Sequence, residues 1–264
     1  MPLLLLVGII AVVWGGLAAA EELIKGEGIR SFKVSGGACL FEAFGATGFR
    51  LMVFPALLMV DAIDVANLSS VWLGSAIVVG LVAMGGKLSA RHVAGILCFG
   101  AGALVVVLDG LAVGHVLALC GGLIWGWHVG RSSVRSGAGR QADAIGSLVT
   151  GGVLIYLSWL IETPWGMGAG DVQWIFWLVL TENVGYVLWR YGARHGGGRR
   201  TEKVSVLFMP VVGVLWIWVL GGVSLNAGHV VATAAVTMAG LILSPHVFKE
   251  GKKARHGEEA GRLS

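Results

Sequence analysis

The sequence predicts an all-α integral membrane protein with about nine transmembrane helices, and three observations predict it. Nine apolar segments follow one another along 264 residues, most matching the ~17–25 residues that a helix needs to cross a hydrocarbon core of ~30 Å. Lys and Arg fall into every second connection between these segments, the asymmetry that orients a polytopic chain. Only 13% of the residues are charged and 56% are hydrophobic, whereas soluble domains carry about 25% charge.

The segments justify themselves in order. Residues 3–20 are followed by Lys25, Arg30 and Lys33, and residues 36–60 by no basic residue. Residues 66–85 are followed by Lys87 and Arg91, and residues 92–108 by none. After residues 111–129 come Arg131, Arg135 and Arg140, and after residues 144–161 none. Residues 172–189 precede Arg190, Arg194, Arg199, Arg200 and Lys203, and residues 204–222 precede none. Residues 226–247 lead into a polar tail, 248–264, with five basic residues. The alternation places the basic connections and the C-terminus in the cytoplasm of a plasma (bacterial inner) membrane, with the N-terminus outside. Asp61, Asp64, Asp109, Glu162 and Asp171 mark the opposite side. Ala18-Ala19-Ala20 has the form of a signal-peptide cleavage site, but no basic residue precedes that apolar stretch and Lys25 follows it closely.

Composition excludes several classes of function. The mild basic excess, Lys+Arg 19 against Asp+Glu 15, sits in short connections where membrane orientation explains it, so no nucleic-acid partner is expected. Cys39, Cys98 and Cys120 lie inside apolar segments without metal-ligand spacing, so they are packing residues and no metal is expected. No H-E-x-x-H, G-x-S-x-G or phosphate-loop pattern occurs, which leaves neither an enzyme nor a cofactor to propose. The 43 glycines suit close helix packing in lipid, and Gly110 with Gly114 and Gly126 with Gly130 have the spacing that brings backbones together.

An internal repeat organises the chain. Glu42-x-x-Gly45-x-x-x-Phe49-Arg50 matches Glu182-x-x-Gly185-x-x-x-Trp189-Arg190 at an offset of 140 residues. Gly85-Gly86 pairs with Gly221-Gly222, His92-Val93 with His229-Val230 and Ala101-Gly102 with Ala239-Gly240, in the same order. The first four segments then pair with the last four, and the fifth is left over. A complete unit therefore has five helices, and an odd number inverts the second copy, a construction of secondary transporters whose substrate site lies near the midplane.

Gly185-Tyr186-Val187-Leu188-Trp189-Arg190-Tyr191-Gly192-Ala193, Met209-Pro210-Val211, Gly221-Gly222 and Ala239-Gly240-Leu241 resemble the end of an EamA-like domain. Leu123-Ile124-Trp125-Gly126 and Arg131 resemble the start of that family's second repeat, which places the chain with the drug/metabolite transporter superfamily. The resemblance implies two inverted five-helix repeats, alternating access, and movement, often export, of a small organic solute such as a metabolite or amino acid. Here the first repeat, 1–110, holds four segments and the second, 111–247, holds five, so the family's first helix is not among them; a start assigned too far downstream would give the same pattern. A homodimer would close a cavity left open by that helix. Gly74 stands where Pro is expected by analogy with Pro210, and Lys87 and Val223 stand where the family often has an acid.

Charges inside apolar spans are the sharpest local signal, because a lone charge at the bilayer centre costs at least ~2.5–3.5 kcal/mol. Glu182 lies about ten residues into its segment, roughly 15 Å deep. Glu42 and Arg50, eight residues apart, sit about 80° apart around one helix and face one side. The expectation is that Glu182 with Asn183 binds an amino or hydroxyl group or takes up a coupling proton, and that Arg50 attracts a carboxylate. Glu42 joins them, and Trp72 and Trp125 line an aromatic cavity. Trp165 and Trp174 fit an interfacial belt, and His128 reads as an interfacial histidine.

Overall fold

The computed structural model describes residues 2–24, 36–108, 110–132, 139–162, 168, 172–173, 176, 179–180, 210–219 and 223–243. Among the described residues every regular element is a helix: α1 (Leu3–Ile24), α2 (Gly36–Met59), α3 (Ala62–Ser69), α4 (Trp72–Ala83), α5 (Ala90–Val106), α6 (Val113–Ser132), α7 (Gly139–Ile161), α8 (Pro210–Val219) and α9 (Ala227–Leu243). Among the described residues five spans are long and apolar enough to cross a membrane: Leu3–Glu21, Gly36–Met59, Ala62–Ala83, Val113–Arg131 and Ala144–Ile161. Helix α5 is apolar but shorter, and so are the described parts of α8 and α9. The seventh expected segment, 172–189, falls largely outside the described residues, and so do Glu182, Asn183, Arg190 and the tail 248–264.

The third segment, expected as one helix over 66–85, starts earlier and is divided. Asp61 accepts a hydrogen bond from the Ile63 N–H at 2.9 Å and so starts α3. At the other end of α3 the hydroxyl of Ser70 donates to the Ala66 carbonyl at 2.6 Å, and that of Ser69 donates to the same oxygen at 3.4 Å. Hydroxyls that take up helix carbonyls in this way loosen the ladder, and a turn at Ser70–Val71 separates α3 from α4.

Polarity is arranged inside out. Large apolar side chains such as Leu40, Leu58, Leu97, Val149, Trp216 and Val219 are exposed, while Glu42, Arg50, Asn67, His115, His128 and His229 are buried. In water that surface would be an aggregation liability. In lipid it is the expected exterior, and the polar groups must find partners within the bundle.

Glycines set the packing. On α6, Gly114 meets Met59 and Val60, and Gly121 meets Val53, so α2 runs antiparallel to α6. The opposite face carries Gly122, Gly126 and Gly130, which meet Ser69, then Trp72 and Ser75, then Ala76 and Gly80, so α4 runs parallel to α6. Gly8 and Gly15 seat α1 antiparallel on α7, and Gly95 and Gly102 seat α5 antiparallel on α9. These directions bring Lys87, Arg91 and Arg131 to one end of the bundle and Asp61, Asp64 and Glu162 to the other. At the acidic end Glu162 accepts from the backbone N–H groups of Leu4 and Leu5 at 2.9 and 3.3 Å, an anion at a helix N-terminus. Gly126 and Gly130 pack as their spacing predicts. Gly110 does not: it takes φ +135° in the α5–α6 connection, a conformation that suits glycine because other residues strain there. Gly74, in the place where the resemblance expects Pro, is covered by the Phe99 ring.

A methyl at Gly126 would collide with Ser75 and the Trp72 carbonyl, whereas one at Gly152 meets nothing. Gly126→Ala is therefore expected to cost about 1–3 kcal/mol through overpacking, while Gly152→Ala leaves stability unchanged or raises it. Unfolding of the purified protein in mixed micelles measures both.

Candidate functional site

The repeated motif of α2 builds a buried polar site, and each of its residues has a part in it. Glu42 and Arg50 are both 4% exposed. Glu42 Oε2 lies 3.0 Å from His128 Nε2 of α6. Gly45, one turn along α2, leaves the space in which the His128 ring lies, and a methyl there would occupy the ring's position. Trp125, one turn before His128 on α6, stacks on its imidazole at 5.2 Å between centroids and also meets Phe49 at 5.7 Å. Phe41 also lies against the imidazole, at 5.1 Å between centroids. The guanidinium of Arg50 lies 5.0 Å over the Trp14 ring of α1, and its Nη1 donates to the Ala46 carbonyl at 3.3 Å.

With Nε2 directed at a carboxylate, His128 carries its proton there and presents Nδ1 as a lone pair. That Nδ1 is buried and has no hydrogen-bond partner among the described residues. The site thus offers a carboxylate, a guanidinium and a ring nitrogen able to accept a proton or a hydrogen bond, all within membrane-length helices. Of the residues expected from the sequence, Glu42 and Trp125 come together and Arg50 stands two turns further along α2. Trp72 packs instead against the apolar cluster of Leu73, Phe99, Val236, Ala239 and Leu243. Glu182 and Asn183 lie outside the described residues. His128, read from the sequence as interfacial, is buried at 6% exposure. Its membership follows from α6 packing antiparallel on α2.

A second polar cluster lies at the acidic end and was not expected. Three helices start with histidine three residues after the cap. Nδ1 of His92, His115 and His229 accepts the backbone N–H of Ser89, Ala112 and Asn226 at 3.0, 3.0 and 3.4 Å, as Glu or Gln does in a capping box. In His115 and His229 this leaves Nε2 protonated, and those atoms stand 3.6 and 3.4 Å from the two oxygens of Asp64. Asn67, one turn along α3, accepts from the Thr233 hydroxyl at 2.9 Å. The cluster ties α3 to α6 and α9. This tautomer opposes metal binding, because a ligating imidazole normally donates through its other nitrogen. The signal was present in the sequence as His-Val, repeated at 92, 115 and 229, each next to a helix start.

Two tests follow. Glu42→Gln or His128→Ala alone is expected to cost about 3–5 kcal/mol, as removal of one partner from a buried pair does, and the double variant less than the sum; an unfolding cycle measures the coupling. His92→Ala loses only a cap, about 1 kcal/mol, whereas His115→Ala and His229→Ala lose the cap and a partner of Asp64. In the same assay both are expected to fall below His92→Ala.

No family model matches the sequence, and no curated protein matches it. Among solved structures, one described only as "Crystal structure of protein" is similar, with a TM-score of 0.65 and 18% identity, over 94% of this chain and 89% of that one. That likeness concerns the fold alone.

Proposed function

We propose that this protein is a multi-pass membrane transporter that moves a small organic solute by alternating access. The observation that carries the reading is the buried Glu42–His128 pair, with Arg50 on the same helix, inside spans α2 and α6. Ionisable groups at such places are costly and mark substrate or ion paths. The pair suits a proton or an amino group, and Arg50 suits a carboxylate, so a zwitterionic metabolite or amino acid is the favoured substrate class and export the favoured direction.

The packing supports the inverted repeat and, through it, the likeness to EamA-like transporters. The helices that the repeat pairs as equivalents, α1 with α7 and α5 with α9, lie directly against one another and antiparallel. Elements related by an axis in the membrane plane take up this arrangement. His92 and His229, which the repeat also pairs, have the same role at the starts of α5 and α9. The plasma membrane, the cytoplasmic basic connections and the outward N-terminus belong to this proposal. So do a solute partner and a homodimer.

A second reading, a membrane subunit that transports nothing, is favoured by one observation: Glu42 and Arg50 are already engaged by His128 and Trp14. Liposomes containing the protein and preloaded with a mixture of labelled amino acids separate the two. Transport predicts efflux that depends on pH and loses that dependence in Glu42→Gln. No efflux above protein-free liposomes supports the subunit. Efflux with unchanged pH dependence in Glu42→Gln removes the proton from that pair.

A further inference from the structure

An open groove of about 450 Å³ lies between α4, α5, α6 and α9 at the basic end of the bundle. Its walls are apolar, with Ile77, Leu81, Met84, Val129 and Leu243 among them, and Arg91 and His92 are its polar lining residues. None of the four helices, nor the connection from α4 to α5, contains a single Asp or Glu. Arg91 is exposed, and two more cations flank it: Lys87 precedes it by four residues, and Arg131 follows the lining residue Gly130. His92 is held in place by its bond from Ser89. An apolar groove whose lining helices carry cations at one end and no acid is complementary to an amphiphile with an anionic head.

We propose that this groove binds an anionic phospholipid, with an acyl chain along the apolar wall and its phosphate on Arg91. A guanidinium pairs phosphate oxygens two at a time, and basic pockets between membrane helices on the cytoplasmic side hold acidic headgroups. A zwitterionic lipid brings its own cation to the same site and gains less. The proposal rests on membrane embedding alone, so it stands or falls apart from the transport reading.

The test is native mass spectrometry of the full chain released from detergent with phosphatidylglycerol, phosphatidylcholine or oleate added. The wild type is expected to retain phosphatidylglycerol over phosphatidylcholine by at least about fivefold, the effect of roughly one basic residue at a membrane surface. Arg91→Gln removes that preference. Met84→Asp removes it too, by supplying a carboxylate inside the groove. Lys87→Gln, outside the lining, keeps most of it. All three positions are exposed, and matching unfolding curves confirm that the variants fold. Equal retention of the two phospholipids by the wild type overturns the proposal. So does a preference that survives Arg91→Gln, one lost equally in Lys87→Gln, or retention of oleate in place of phospholipid.

Discussion

Helix α6 can pack between α2 on one side and α3 and α4 on the other only because glycine occupies both of the faces it turns to these neighbours. Gly114 and Gly121 admit α2 on one side, and Gly122, Gly126 and Gly130 admit α3 and α4 on the other. In lipid no hydrophobic force drives helices together, so contact depends on how closely backbones approach and which polar groups meet. The approach to α2 places the His128 ring on Gly45 and its Nε2 on Glu42. Moving α2 outward by the width of a methyl group would separate the pair and leave a buried carboxylate without that partner. Packing and site are therefore one constraint seen at two scales.

The same helix carries polar groups near both ends. His115 belongs to the Asp64 cluster, which reaches α3 and α9, and His128 belongs to the Glu42 pair, which reaches α2. Under the transport reading these are natural closures for opposite sides, since each links α6 to helices that must part when that side opens. The apolar exterior leaves such groups no water, so each must be exchanged for another partner, such as a solute or a proton, when it is released.

Much of this was legible in the sequence, for physical reasons that differ by element. Hydropathy over a membrane span is a strong signal, and among the described residues the boundaries of α1, α2, α5, α6 and α7 fall within about five residues of where it places them. The exception is the third segment, where Asp61 and the serine pair at 69 and 70 set the boundaries through hydrogen bonds. The motif from Glu42 to Arg50 was legible because one helix face carries it. His128 was not, because its role depends on which helix packs against α2, and neither periodicity nor charge encodes that. Likewise, Gly110 and Gly126 look alike in sequence, yet one serves a positive φ and the other a close contact. The Asp64 cluster escaped because its histidines read as ordinary residues near helix ends until their capping role aligned them.

The transport reading predicts alternating access about α6, which pulsed electron spin resonance between pairs of exposed positions at the two ends measures directly. One pair is Leu111 with Ser224, near the Asp64 cluster, and the other is Leu40 with Leu88, at the basic end. Each pair, labelled through introduced cysteines in a cysteine-free background and reconstituted in lipid, should give two distance populations. A change of pH or addition of a transported solute should shift the two pairs in opposite directions. A single unchanging distance at both ends, or a shift of both in the same direction, would contradict transport by this route.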